Sequence, residues 1–169
     1  MKQFLKIRTV AEIQMMPAAG PWSTKSGGNL EVLMKVPMAA LNEQYFSYDS
    51  EETDRLSQDI RGLRIYTVRD LPQDKIGGME WHRIREEMVF SLEGSVLWIC
   101  EDALGNKREF TLDSGMGIWM PPGILHTYRV LEEGSGLLVV ANTLFIPEDA
   151  STHDTYSLED FHELQKQLK

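Results

Sequence analysis

Two glycine-bounded stretches constrain this chain more than any other feature. The first, IGGMEWHRIREEMVFSLEG at 76–94, carries Glu80 and His82 two positions apart, then Glu87, and ends at Gly94. Side chains two apart on a strand point to the same face, so Glu80 and His82 can project together into any cavity that strand lines. The second, GMGIWMPPGILH at 115–126, carries Gly115, Pro121, Gly123 and His126. Carboxylates and imidazoles gathered this way suit proton transfer or ligation of a divalent transition metal. The Gly77–Gly78 pair reads as a turn ahead of the first strand.

The surrounding chain reads as short strands. Residues 63–69, LRIYTVR, set Arg64, Tyr66 and Val68 on one face and Ile65 and Thr67 on the other. A turn at 70–74 closes this strand and is expected to fold it back as a hairpin toward Arg83, bringing Tyr66 to Glu80 and His82. Strands at 87–92 and 96–101 flank Gly94-Ser95, a short hairpin signal. A turn at 103–106 leads into 108–112, and 117–120, 125–131 and 136–143 complete the set. Segments of this length with turns this regular favour an all-β sandwich or barrel. Only the end reads as helix, with Ser157 as N-cap, Asp160 at N3, and Leu158, Phe161, Leu164 and Leu168 at helical spacing. That helix is expected to pack on the outside of the β-domain or on a partner subunit. Residues 1–59 read as an irregular segment with one or two strands, one of them at 30–36, and residues 50–54 as an exposed acidic loop. Residues 60–169 form the main domain.

At 169 residues and 42% apolar composition the chain can bury one substantial core. A net charge of −9 argues against nucleic acid as a partner, which needs a basic face. No long apolar run supports a signal peptide or a membrane span, which makes cytoplasm the default compartment. Cys100 is the only cysteine, which excludes an intrachain disulfide and a cysteine-based zinc site.

The two stretches together resemble the paired motifs of the cupin superfamily. The first motif, G-x5-H-x-H-x3,4-E-x6-G, has Glu80 in place of its first histidine, while His82, Glu87 and Gly94 keep the spacing that follows. The second, G-x5-P-x-G-x2-H, is met by Gly115, Pro121, Gly123 and His126. Within that superfamily, residues 60–165 resemble the sugar-nucleotide 3,4-ketoisomerases of deoxysugar biosynthesis, the WxcM-like family. The matching segments are RIYTVRDLP at 64–72, IGGMEWHR at 76–83, LEGSV at 92–96, FTLDS at 110–114, WMPPGILH at 119–126, LLVVAN at 137–142 and LEDF at 158–161.

That resemblance implies a double-stranded β-helix, or cupin jelly roll, with a short C-terminal α-helix. It further implies a homodimer without a cofactor, acting on a nucleotide-linked 4-keto-6-deoxy sugar and moving the carbonyl from C4 to C3 through an enediol. Such chemistry needs a base for the proton alpha to the ketone and an acid for the developing oxyanion. By position, Glu80, His82 and Tyr66 are the catalytic candidates, and Arg64, Trp119 and His126 the substrate contacts. Each has a plainer alternative: a solvent-facing strand residue for Glu80, a core or surface histidine for His82, core or interface aromatics for Tyr66 and Trp119, a surface salt bridge for Arg64, a structural histidine for His126. Glu87 fits either an exposed rim or a ligand position. Two other functions remain open on the same residues. Glu80, His82, Glu87 and His126 could hold one divalent transition metal, or the chain could be a non-catalytic sugar-binding cupin.

Overall fold

The structure, a computed structural model, describes residues 6–168. Eight strands build two facing antiparallel sheets: β4 (Arg61–Leu71), β5 (Ile76–Trp81), β6 (Glu87–Glu93), β7 (Ser95–Asp102), β8 (Lys107–Asp113), β9 (Met116–Met120), β10 (Ile124–Val130) and β11 (Ser135–Thr143). One sheet runs β9-β6-β11-β4 and the other β5-β10-β7-β8. The chain thus crosses between sheets at most of its connections, as in a jelly roll. The N-terminal strand β1 (Gln14–Pro17) extends the first sheet beside β9, and β12 (Tyr156–Ser157) extends the second beside β5. The all-β cupin fold expected from the two motifs is the fold observed. No helix among the described residues is long and apolar enough to cross a membrane.

Two expected hairpins do not form. β4 pairs with β11 and β5 with β10, so the segment from Arg64 to Arg83 passes from one sheet to the other. Gly94-Ser95 likewise marks a corner, because β6 pairs with β9 and β11 while β7 pairs with β8 and β10. Gly94 has φ +68, and a Cβ there would lie 2.3 Å from Ser135 Oγ, so the close crossing demands glycine. A two-residue turn signal reports a reversal of direction, not which sheet receives the next strand.

The space between the sheets is filled from one end by Val89, Val96, Phe110, Leu112, Ile118, Met120, Ile124, Leu137 and Val139, all buried. On the outer face of the second sheet, α3 (Leu158–Gln167) packs Phe161, Leu158, Leu164 and Leu168 against Trp81, Ala103 and Leu125. Ser157 and Asp160 form the expected capping box at its start. The outer face of the first sheet, with Met88, Phe90, Trp119 and Val140, is covered in part by Tyr45 and neighbouring residues of the N-terminal segment. Tyr45 is tied down twice: its hydroxyl donates to Val140 O at 2.7 Å, and Asn142 Nδ2 donates to Tyr45 O at 2.6 Å.

Among its described residues the N-terminal segment holds three strands rather than one or two, adding β2 (Ala19–Ser23) and β3 (Asn29–Val32) as a separate hairpin. Nor is 50–54 a loop: Asp49 caps a one-turn helix, α2 (Ser50–Thr53), accepting from the Glu51 and Glu52 N–H groups. Glu52 is buried because it pairs with Arg83, Nε to Oε2 at 2.6 Å.

Candidate active site

The opposite end of the same interior is polar. Strand parity puts Glu80 and His82 inward and Trp81 outward, toward α3. Glu80 stands opposite His126 in the β5–β10 ladder, and the register then slips so that Thr127 faces Gly78. Met79 is the extra residue of this bulge and has φ +65, with Gly78 at φ +74. The glycine pair is therefore not a turn. It lies within β5, where a Cβ on Gly77 would meet the Tyr128 ring at 2.3 Å and one on Gly78 would meet His126 O at 2.9 Å. Bulges re-aim the next side chain, here Glu80, into the cavity.

Four expected groups converge. Glu87, at the start of β6 in the facing sheet, sets Oε2 3.7 Å from His82 Nε2 and 3.9 Å from His126 Nε2. His126 Nε2 is also 3.9 Å from Glu80 Oε1. Glu80 keeps 38% of its side chain exposed, whereas the other three are buried. Tyr66 reaches the group from β4 across the cavity, its hydroxyl donating to Glu87 Oε1 at 3.4 Å. Its proximity to the cluster is as expected, although the route is the opposite sheet and not a hairpin.

The electrostatics follow from burial and from the basic groups beside it. Burial alone would raise the Glu87 carboxyl, but His82, His126 and Arg85 outweigh it and hold the group below the usual carboxylate range. Burial, helped by His82, pulls His126 below its ordinary value. Burial and the Glu87 charge raise Tyr66, so its hydroxyl stays protonated and able to donate. The His126 ring stacks on Trp98 at 5.6 Å and 12°, and Trp98 in turn on Tyr128 at 5.4 Å and 9°, which forms the floor.

Arg64 lies beside Tyr66 on β4, its guanidinium carbon 5.0 Å from the Tyr66 ring and 5.3 Å from that of Phe145. Its Nε is buried with no hydrogen-bond partner among the described residues. A cleft of about 320 Å³ opens here, lined by Arg64, Tyr66, Arg85, Phe145 and Thr155. Trp119 is not part of the site. It faces the outer side of the first sheet, packs edge-on against Tyr45 at 5.9 Å, and donates its Nε1–H to Glu86. Ile118 and Met120 take the inward positions of β9, and that parity excludes Trp119 from the cavity.

Sequence reasoning missed Arg85, Phe145 and Asp154. Arg85 Nη1 lies 3.4 Å from His82 Nε2 and 3.6 Å from Glu87 Oε1, and its Nε donates to Thr143 Oγ1 at 3.1 Å. Its place two residues before Glu87 was the available signal, masked by the charged run Arg85-Glu86-Glu87 that reads as a rim. Asp154 comes 72 positions after His82 and carries no local signature.

The chemistry available is proton transfer between a partly exposed carboxylate and two imidazoles, beside a phenol and two guanidinium groups. Two imidazoles and two carboxylates are also a plausible ligand set for a divalent metal. One ligand atom each from Glu80, His82 and His126 lies within 4.8 Å of the others.

None of the curated proteins matches the chain in sequence. Among solved structures, it is similar to a 3,4-ketoisomerase from Helicobacter canadensis, with 17% identity, a TM-score of 0.63, and coverage of 92% of this chain and 98% of that one. QdtA, a sugar 3,4-ketoisomerase from Thermoanaerobacterium thermosaccharolyticum solved with TDP, gives 17% identity and 0.63 over 95% and 99%. The WlaRB TDP-quinovose 3,4-ketoisomerase from Campylobacter jejuni gives 18% and 0.64 over 93% and 99%. At these identities the likeness bears on the fold. The sequence model of the family described as "FdtA: WxcM-like, C-terminal" matches residues 43–163, well over half of the chain, and the chain belongs to that family.

Proposed function

We propose that this protein is an isomerase of a nucleotide-linked 4-keto-6-deoxy sugar, moving the carbonyl from C4 to C3 in deoxysugar biosynthesis. The observation that carries the reading is the convergence of Glu80, His82, His126 and Glu87 with Tyr66 in one cavity, beside a cleft lined by two arginines. A diphosphate suits Arg64 and Arg85, and Phe145 offers an aromatic face beside them. Family membership and the 3,4-ketoisomerase activity of the similar structures support the same reading.

The residues divide the work by charge and exposure. Glu80 takes the C3 proton, and the electron pair moves onto the C4 oxygen as an enediolate. The protonated Tyr66 hydroxyl and the nearby Arg85 charge stabilise that oxygen. His82 Nε2 takes the O3 proton and passes it to O4, while Glu80 returns its proton to C4, leaving the carbonyl at C3. The test is incubation with TDP-4-keto-6-deoxyglucose, the ligand of one QdtA variant structure, followed by proton NMR. A 3-keto isomer is the expected product; ligand binding without conversion would favour the sugar-binding cupin.

A metal-dependent reading has one observation in its favour, the grouping of Glu80, His82 and His126 with Glu87 close by. Tetrahedral ligation at about 2.1 Å puts donors about 3.4 Å apart, so the pairs at 3.7–3.9 Å and the Glu80, His82 and His126 group, which spans up to 4.8 Å, would have to contract around an ion. Against it, the Arg85 guanidinium already faces His82 Nε2 and Glu87 and supplies the positive charge there. Stoichiometric metal in protein purified without an affinity tag would favour this reading; substoichiometric metal with full turnover would favour the first.

The chain is further proposed to be a homodimer. Leu63 and Ile65 on β4 are 52% and 59% exposed, and the β2–β3 hairpin holds Trp22 and Leu30 in the open. Apolar surface of this kind on strands is suited to pairing with a second copy. Sedimentation at micromolar concentration should give twice the chain mass, and a single monomeric species would count against it.

A further inference from the structure

The turn between β5 and β6 presents three of the groups discussed above, His82, Arg85 and Glu87, within six residues. Nothing in its own sequence explains why a turn rich in charge should be buried and fixed. Its backbone N–H groups would be orphaned inside the protein unless an acceptor from elsewhere reached them, at a cost comparable to losing each hydrogen bond.

Asp154 supplies that acceptor. It is 1% exposed and lies just ahead of β12, the short strand that pairs with Glu80 and Trp81. Its Oδ1 accepts from the Arg83 N–H at 3.0 Å, and its Oδ2 accepts from the N–H groups of Ile84 at 2.9 Å and Arg85 at 2.7 Å. Three donors on one carboxylate satisfy the turn completely at that point. The same residue makes a fourth contact with its main chain: His82 Nδ1 is 2.5 Å from Asp154 O. A carbonyl oxygen can only accept, so this bond requires the proton on Nδ1. In the neutral ring the lone pair then sits on Nε2, toward the cavity, where the Arg85 Nη1–H, which can only donate, faces it at 3.4 Å.

We infer that Asp154 is a positioning residue for His82: its carboxylate locks the 83–85 backbone, and that lock holds its own carbonyl against His82 Nδ1, fixing the imidazole as the Nδ1–H tautomer. The part concerning catalysis rests on the ketoisomerase reading, because His82 must offer a bare Nε2 to shuttle the O3 proton. The tautomer itself does not, since an Nε2 lone pair is equally what ligation would need. Asp154 joins the C-terminal segment to the cavity and makes the geometry of His82 depend on residues far away in sequence.

The experiment is nitrogen-15 NMR of His82, assigned by its loss in His82→Asn, in the wild-type full chain and in Asp154→Asn. Asparagine keeps the shape but offers a single acceptor oxygen and places an NH2 against backbone donors. Wild-type His82 should show a protonated Nδ1 and a bare Nε2, and Asp154→Asn should shift it to a mixture of tautomers. Turnover should fall by about tenfold or more while KM for the sugar nucleotide changes by less than about threefold. A wild-type His82 protonated on Nε2 would overturn the inference even if no variant folds. So would an Asp154→Asn protein that keeps the wild-type tautomer, whatever its turnover. If the wild-type protein converts no keto sugar, the ketoisomerase reading fails while the tautomer result still decides the role of Asp154.

Discussion

The two ends of the barrel interior are built from the same faces of the same strands, yet one is a packed core and the other a reactive cavity. On β6 the inward positions run Glu87, Val89; on β4 they run Arg64, Tyr66, Val68; on β10 Ile124 precedes His126. A single two-residue step changes the environment from ionised to apolar. Alternation therefore tells which side chains point inward but not what surrounds them, and a charged residue on an inward position is what marks the functional end. Glu87 illustrates the difference. Two positions from fully buried Val89, it is held below the usual carboxylate range, against its burial, by His82, His126 and Arg85.

The contrast can be broken from the apolar end first. Leu112 is fully buried there, and Leu112→Ala should cost about 2–5 kcal/mol by urea denaturation while leaving turnover per folded molecule intact. A loss of turnover at constant folded fraction would show that the two ends are not independent.

Much of this division was legible in the sequence. Strand spacing points to a sandwich or barrel, and the resemblance to the paired cupin motifs adds the jelly roll and puts Glu80, His82, Glu87 and His126 into one group. What stayed hidden depended on partners remote in the chain. Trp119 was read as a substrate contact because its segment matched a motif, but its parity with Ile118 and Met120 sends it outward. Arg85 and Asp154 meet only after β12 has crossed to β5, an event no local pattern records. Turn signals at 70–74 and 94–95 mark the reversals correctly but not the pairing of the strands they join, since a jelly roll uses such turns to change sheets.

Glu86 and Glu87 sharpen the comparison because adjacent residues fall on opposite faces. Burial on the outer side pushes Glu86 up from 4.5 to about 7, despite the hydrogen bond from Trp119. The native state then binds more protons than the unfolded one between about pH 4.5 and about 7, so stability should fall as pH rises through that window. For Glu87, held below its ordinary value, the contribution is present above about pH 4.5 and should be lost as pH falls below it. Thermal unfolding of Glu86→Gln and Glu87→Gln against wild type across this range should show the two differences moving in opposite directions with pH; parallel curves would contradict the assignment of faces.

The smallest effect is expected at Trp119. Trp119→Phe removes the donor to Glu86 and should cost about 1–2 kcal/mol, with turnover unchanged within about twofold. A large change in KM for the sugar nucleotide would return Trp119 to the substrate site.

The most direct test of the central claim is turnover of TDP-4-keto-6-deoxyglucose in deuterium oxide by wild type and by Glu80→Gln. Because Glu80 is partly exposed, its captured proton can exchange with solvent before return. Wild type should give a 3-keto product carrying deuterium at C4, and Glu80→Gln should bind TDP normally yet turn over about a hundredfold more slowly or less. A Glu80→Gln protein that forms the deuterated product at the wild-type rate would contradict the account.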